Sequence, residues 1–299
     1  MIFDFRIKVF YTVAEKLSFT KAAKELFITQ PAVTKHIHEL EKQLGVSLFK
    51  RKGNSIVLTS QGEILKFYAN KILQTYNDLE FELSQTNDKV MSRLRLGAST
   101  TVAQYILPKI LAHLKLKHPE LEIDLATNNT DEIEKLLVDE KIDFGIVEGT
   151  SNKPAIVYKP FIKDEIVLVS RGKSKLASLK EIKPEKLKSI PLVIREAGSG
   201  TLEVIDSALK KVGLKRKDLN IEIQLGSTES IKQYLYHSDC AAFLSIHSIA
   251  KQLMQNEFSI IDVKGLTIFR TFQFINLHGN HSKTVEFFKN FCVRHYNNS

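Results

Sequence analysis

Between Ser18 and Leu44 the apolar positions repeat at helical spacing in two bursts: Ala22, Ala23 and Leu26, then Val33, Ile37, Leu40 and Leu44. Only Phe27-Ile28-Thr29 separates them, a connection of helix-turn-helix length. Thr29 is placed to cap the second helix through its hydroxyl, and Pro31 falls in the first turn, where its missing N–H does no harm. Upstream, Phe5, Val9, Phe10 and Val13 mark the buried stripe of a helix over residues 3–16. Downstream, Gly53-Asn54 offers a turn between Lys50-Arg51-Lys52 and the β-prone Ile56-Val57-Leu58, which predicts a two-stranded wing. Ser60-x-x-Glu63 fits a capping box and opens one long helix over residues 60–88. Its seam runs through Leu65, Tyr68, Ile72, Leu79 and Leu83, with Thr75 and Tyr76 at its centre. Such a helix is roughly 40 Å long and, with an apolar stripe, needs a partner.

After a polar hinge at Asn87-Asp88-Lys89 the pattern alternates between strands and helices. Strands are predicted at 93–98, 121–126 and 143–147, with helices at 102–117 and 130–139 between them. A long β-rich stretch over 156–170 then carries the chain into a second lobe. That lobe has strands at 192–195, 221–225 and 241–244 and helices at 201–212, 229–236 and 249–255. Strands at 260–263 and 269–275 lead back to the first lobe, closed by a helix over 282–295. This is the βαβ rhythm of a parallel sheet covered by helices.

Composition narrows the class. At 299 residues, 43% hydrophobic and 26% charged, the chain suits two globular domains. It has no apolar run of membrane-spanning length, and its first residues do not read as a secretion signal, so a cytoplasmic location without membrane partners is expected. Cys240 and Cys292 lie in different segments and are expected to be reduced and packed. No Cys/His cluster has metal-ligand spacing, and neither a metal nor another cofactor is expected. Residues 1–71 hold 12 Lys and Arg against 6 Asp and Glu, so +6 of the total +9 falls on the first quarter of the chain. A basic bias there supports affinity for nucleic acid without identifying it.

On the second helix of the pair, Pro31, Thr34, Lys35 and His38 lie opposite the buried stripe, with Gln30 at the exposed N-terminal flank. Those groups suit base edges and phosphates in a major groove, although any amphipathic helix shows a polar face. The match becomes specific residue by residue. Phe10, Ala14, Ser18-Phe19-Thr20, Ala22-Ala23, Leu26, Thr29-Gln30-Pro31-Ala32-Val33-Thr34, Ile37, Leu40-Glu41, Leu44-Gly45, Leu48-Phe49, Arg51, Leu58-Thr59 and Gly62 together resemble the winged helix-turn-helix of LysR-type transcriptional regulators. The resemblance implies an α/β protein in three parts. A DNA-binding domain spans 1–59 and a linker and dimerisation helix 60–88. A two-lobed effector-binding domain like periplasmic binding proteins spans 91–299, with lobe one at 91–162 and 266–299 and lobe two at 163–265. It implies a homodimer or homotetramer on a pseudo-palindromic double-stranded DNA site. The DNA-binding residues would be Ser18, Thr20, Thr29, Gln30, Pro31, Thr34, Lys35, His38, Lys50, Arg51, Lys52 and Asn54. Asn54 stands where the family often has arginine.

Open α/β sheets bind ligands beyond the C-terminal ends of their strands. Two such ends carry small and hydroxyl residues before a helix, Gly97-Ala98-Ser99-Thr100-Thr101 and Arg195-Glu196-Ala197-Gly198-Ser199-Gly200-Thr201. Free helix-terminal N–H groups with a positive dipole end suit an anion, while simple N-caps explain the same residues. The second loop, with Gly226-Ser227-Thr228-Glu229-Ser230 and Phe243-Leu244-Ser245, resembles a subset of the family that includes regulators of sulfur assimilation and carbon fixation. Ala197 stands there for proline and Leu202 for arginine. The expected contacts of a small anionic effector are Ser99, Thr100, Thr101 and Asn129 from lobe one, and Ser199, Gly200, Thr201 and Thr228 from lobe two. Arg195 either supplies charge or pairs with Glu196. The competing readings are an enzyme, for which neither Ser99 nor Ser199 has an assignable base, and a ligand-independent architectural DNA-binding protein.

Overall fold

The computed structural model describes residues 4–53, 55–85, 93–279 and 282–297. Asn54, the 87–89 hinge and the side chain of Leu83 lie outside what it describes. The chain divides into two compact units, Met1–Val90 and Met91–Ser299.

In the first unit, α1 (Phe5–Lys16), α2 (Phe19–Leu26) and α3 (Gln30–Leu44) are each capped by a side chain, from Asp4, Ser18 and Thr29. Each cap accepts a backbone N–H that the helix itself leaves unpaired. Phe27 takes the left-handed conformation at φ 55°, which ends α2 and lets α3 start three residues later. Val9, Phe10, Val13, Ala22, Val33, Ile37 and Leu40 form one core. Leu44, expected in that stripe, is 46% exposed instead. It is the last residue of α3; Gly45 turns the chain away at φ 68°, and Leu48 joins the core after Leu40.

The hairpin β1 (Phe49–Lys52) and β2 (Ser55–Leu58) pairs Lys52 with Ser55. Glu41 ties it to α3, its Oε1 accepting from the N–H groups of Leu48 at 2.7 Å and Phe49 at 3.4 Å. Helix α4 (Ser60–Gln85) is capped one residue earlier than the Ser60-Glu63 box predicts. Thr59 Oγ1 accepts from Gly62 N at 3.0 Å and donates to Ser47 O at 2.7 Å, so a single hydroxyl joins wing and helix. Ala69 enters the core and Leu65 packs beside it, whereas Ile64, Phe67, Tyr68, Ile72 and Leu79 are exposed.

The second unit is built on one ten-stranded sheet. Strands β3 (Arg93–Ser99), β4 (Glu122–Asn128) and β5 (Phe144–Val147) run parallel, with α7 (Thr130–Val138) among their connections. The single helix expected over 102–117 is two, α5 (Thr100–Tyr105) and α6 (Leu107–Lys117). Pro108 explains the break, because it has no N–H to give the carbonyl four residues earlier, whereas in the first turn of a new helix that loss does no harm. The sixteen-residue strand β6 (Ile156–Arg171) then leads toward the second lobe. After a short β7 (Glu181–Ile182) the second lobe contains β8 (Leu192–Arg195), α8 (Gly200–Lys211), β9 (Ile221–Leu225), α9 (Thr228–Tyr236), β10 (Ala241–Ser245), α10 (Ile246–Met254) and β11 (Phe258–Val263). Strand β12 (Ile268–Leu277) returns antiparallel to β6, and α11 (Lys283–Asn297) closes the first lobe.

Ten residue pairs join β6 to β12. Their upper part lies beside β10 of the second lobe, and their lower part beside β5 of the first. The ladder is interrupted once, at Phe272/Gln273, where Phe161 is left over after Pro160. A proline that cannot donate to the ladder is at home beside such a bulge. The extra Phe161 ring stacks on Phe274 at 4.3 Å.

Glu41→Ala removes the side chain that bridges α3 to the N–H groups of Leu48 and Phe49 at the start of the hairpin. It is expected to lower the stability of the first unit by about 2 kcal/mol, read as an earlier first transition in urea denaturation.

Candidate functional site

On the first unit, the outer face of α3 carries Pro31, Thr34, Lys35 and His38, all exposed. Gln30 Nε2 donates to Thr34 Oγ1 at 3.0 Å, and Thr34 donates to Gln30 O at 3.1 Å, so these two side chains are held together at the start of the helix. The Lys35 side chain is 77% exposed and only 4.0 Å from Glu39. Ser18 and Thr29 serve as caps, accepting from Lys21 N and Ala32 N. Lys50, Arg51 and Lys52 are exposed along β1, and Thr20 lies exposed in the first turn of α2. His36 does not share a face with His38: its ring meets the edge of Phe5 at 5.5 Å, against the body of the unit.

In the second unit the two loops expected to oppose each other do so, and a carboxylate lies between them. Glu148, directly after β5, is 2% exposed. Its Oε2 accepts from Ser99 Oγ, and its Oε1 from Thr201 Oγ1 at 3.1 Å. Arg270, from the crossing strand β12, adds Nη1 at 3.2 Å from Glu148 Oε1 and 2.6 Å from Thr201 Oγ1. Its Nε donates to Asp164 Oδ2 at 2.6 Å, on the other crossing strand, and Ser245 Oγ donates to Asp164 Oδ1 at 2.7 Å. One guanidinium thus engages both lobes and both connections.

The backbone around Glu148 is held as closely as its side chain. Thr130 Oγ1 donates to Glu148 O at 2.7 Å. Gly200 approaches so near that a Cβ there would sit 1.9 Å from that oxygen, so only glycine fits. Thr100 Oγ1, Ser199 Oγ and Arg270 Nη2 are buried and have no hydrogen-bond partner among the described residues, and neither has Arg195 Nη1 at the start of the second loop. Ser199, at the N-terminus of α8, makes no cap bond with its side chain, which leaves that hydroxyl unspent.

The remaining expected residues divide. Thr101 Oγ1 and Thr228 Oγ1 meet across the cleft at 3.5 Å. Asn129 caps α7, accepting from Glu132 N at 3.1 Å, and its Nδ2 reaches Ala197 O at 3.4 Å. Arg195 pairs with Glu196 through Nε and Nη2 at 2.8 and 2.9 Å, while its buried Nη1 has no hydrogen-bond partner among the described residues, so both of its expected readings stay open. A further contact crosses the cleft rim, where Tyr105 donates to Glu229 Oε1, which Lys232 Nζ also binds at 2.8 Å. Burial pushes the Glu229 carboxyl up, but the hydrogen bonds from Lys232 and Tyr105 outweigh it and hold it below its ordinary range.

Two family models match this chain. Residues 6–63 fit the bacterial regulatory helix-turn-helix protein of the lysR family, and residues 87–297 fit the LysR substrate binding domain. The chain belongs to the LysR family of transcriptional regulators. The HTH-type transcriptional regulator CysL of Bacillus subtilis is 32% identical over 95% of this chain and 92% of its own. Among solved structures, the CcmR regulatory domain of Synechocystis, in complex with 2-PG, is 26% identical with a TM-score of 0.62, covering 69% of this chain and 98% of that one. CrgA of Neisseria meningitidis shares the fold end to end, with a TM-score of 0.67, 18% identity and 99% of each chain covered.

The regulator's cleft contains functional candidates that sequence reasoning passed over, Glu148, Asp164 and Arg270, and Ser245, named only as part of a resembling segment, binds Asp164 there. Glu148 carried a usable signal, a carboxylate at the C-terminal end of a buried parallel strand. Asp164 and Arg270 carried none that spacing reveals. They sit alone in β-rich stretches more than a hundred residues apart, and only the ladder register sets them opposite each other.

Gly200→Ala is expected to cost the second unit about 1–3 kcal/mol by forcing α8 away from Glu148, read as an earlier second unfolding transition. Acid should weaken the Tyr105–Glu229 contact. A carboxylate held below its unfolded value of 4.5 stabilises the fold above that pH and ceases to do so as pH falls through the lower, folded value. In calorimetry, Tyr105→Phe should therefore melt earlier than the parent at neutral pH, with the gap narrowing below pH 4.5.

Proposed function

We propose that this LysR regulator is a homo-oligomeric, cytoplasmic DNA-binding protein that reads a pseudo-palindromic site and responds to a small oxyanion bound between its two effector lobes. Gln30, Pro31, Thr34, Lys35 and His38 face base edges. Ser18, Thr20, Thr29 and the wing cations Lys50, Arg51 and Lys52 meet phosphates, which adds affinity that falls with salt. The exposed apolar face of α4, with Ile64, Phe67, Tyr68, Ile72 and Leu79, supports pairing of two copies through this helix. Pairing would present two recognition helices to two half-sites.

The observation that carries the effector reading is the set of unspent buried donors, Thr100 Oγ1, Ser199 Oγ and Arg270 Nη2. Buried polar atoms are ordinarily paired, so an unsatisfied group in a cleft between two lobes points to a ligand that completes it. The presence of 2-PG, a small anion, in the related CcmR regulatory domain agrees with this chemistry. A bound anion would bias the placement of the lobes, and through it the spacing or bend imposed on DNA. The architectural alternative has one observation in its favour, because Glu148 already satisfies Ser99 and Thr201 without an effector.

A thermal-shift screen of sulfur, phosphate and carboxylate metabolites separates these readings, since any ligand of the folded state raises its melting temperature. A saturable rise with one class supports a sensor, and no rise with any supports an architectural role. On DNA, the double variant Gln30→Ala, Lys35→Ala should lose about 1–3 kcal/mol of preference for the operator. Lys52→Ala should weaken all sequences alike and reduce the salt slope by about one. Both are measurable by fluorescence anisotropy at several salt concentrations.

A further inference from the structure

The donor-rich cleft is also a cleft with too much negative charge. Glu148 is 2% exposed and the Asp164 side chain is fully buried, and among the described residues the cation that pairs with both is Arg270. His247 Nε2 lies 3.8 Å from Asp164 Oδ1, the oxygen that also accepts from Ser245. The Glu148 carboxylate cannot readily leave. Its own carbonyl is held by Thr130, its backbone is crowded by Gly200, and both side-chain oxygens are engaged. An effector that uses Thr100, Ser199 and Arg270 Nη2 therefore binds beside Glu148 and not in its place.

A carboxylate offers about four lone-pair positions and no donor. Ser99, Thr201 and Arg270 fill three of them, which leaves one acceptor position of Glu148, on Oε2, without a donor among the described residues. A fully deprotonated oxyanion presents only acceptors, so it would set lone pair against lone pair and charge against charge in a dry site. An oxyanion that retains a proton presents an O–H to Glu148 and its remaining oxygens to the hydroxyls and the guanidinium.

We propose that Glu148 makes the effector seat selective for oxyanions that carry a proton, of the hydrogen-phosphate type, and rejects those that carry none, of the sulfate type. This rests on the oxyanion reading above and adds the rule by which the seat chooses. The two ions are close in size and shape, so the discrimination comes from the proton acceptor, a case of selectivity through a repulsive element.

The test is titration calorimetry of the full-length protein with inorganic phosphate and with sulfate, at pH 7.5 and matched ionic strength. Direct binding heat separates occupancy from the general stabilisation that both salts give to folded proteins. The wild-type protein should bind phosphate at least about tenfold more tightly than sulfate. Glu148→Gln keeps the side-chain volume, removes the charge and offers an N–H, so it should gain sulfate binding and lose most of that ratio. Equal affinity for both ions in the wild type overturns the proposal, and so does a ratio unchanged in Glu148→Gln. The wild-type comparison stands whether or not the variant folds. Binding without discrimination removes only this inference. An absence of heat with both ions in both proteins removes the oxyanion seat together with it.

Discussion

The second unit turns on one guanidinium. Arg270 stands on β12 opposite Asp164 on β6, and its three nitrogens are aimed at different parts of the molecule: Asp164, the Glu148–Thr201 pair, and an unfilled position. Phe272, two residues along the strand, lies under the guanidinium at 4.7 Å and fixes its plane. A buried ion pair is weak evidence for stability, because desolvation consumes most of the attraction. Its value here is geometric. The charges of Glu148 and Asp164 are tolerable only while Arg270 lies between them, so the lobes, the crossing strands and the cleft share one arrangement.

The first unit depends on smaller couplings of the same kind. Glu41 joins the recognition helix to the hairpin, and Thr59 joins the hairpin to the long helix. Neither bond is strong by itself, since a hydrogen bond contributes on the order of 1 kcal/mol net. Together they fix the angle between α3 and the wing cations, which decides whether a base-facing side and a phosphate-facing side can meet one duplex. The Gln30–Thr34 pair adds order at the side-chain level.

Local pattern made most of the fold legible. The caps at Ser18 and Thr29, the proline in the first turn of α3 and the alternation of strand and helix beyond residue 92 are all written in short windows of sequence. Local pattern is not enough where a neighbour distant in sequence decides the matter: Leu48 and not Leu44 joins the core beyond Leu40, and Thr59 takes the cap because Ser47 stands within reach. Pro108 is the exception, a local signal that divides the helix from within its own window. The site followed the same division. Ser99, Thr101, Thr201 and Thr228 could be chosen because strand ends before helices announce themselves. Arg270 could not, since its role depends on a register with a strand a hundred residues earlier.

The paired strands β6 and β12 set the kind of motion the cleft can make. Two lobes joined by loops can swing apart like a clamshell, because a loop resists bending very little. Here the joint is a ribbon of ten residue pairs in register, and opening it by bending would break the backbone hydrogen bonds of its ladder. Torsion is the compliant coordinate of a two-stranded ribbon, whose natural twist varies widely. The Phe161 bulge beside Pro160 places the softest point of the ribbon between the lobes. A signal originating in the cleft would therefore leave it as a rotation of one lobe about the ribbon axis, with the sheet acting as a torsion spring rather than a hinge.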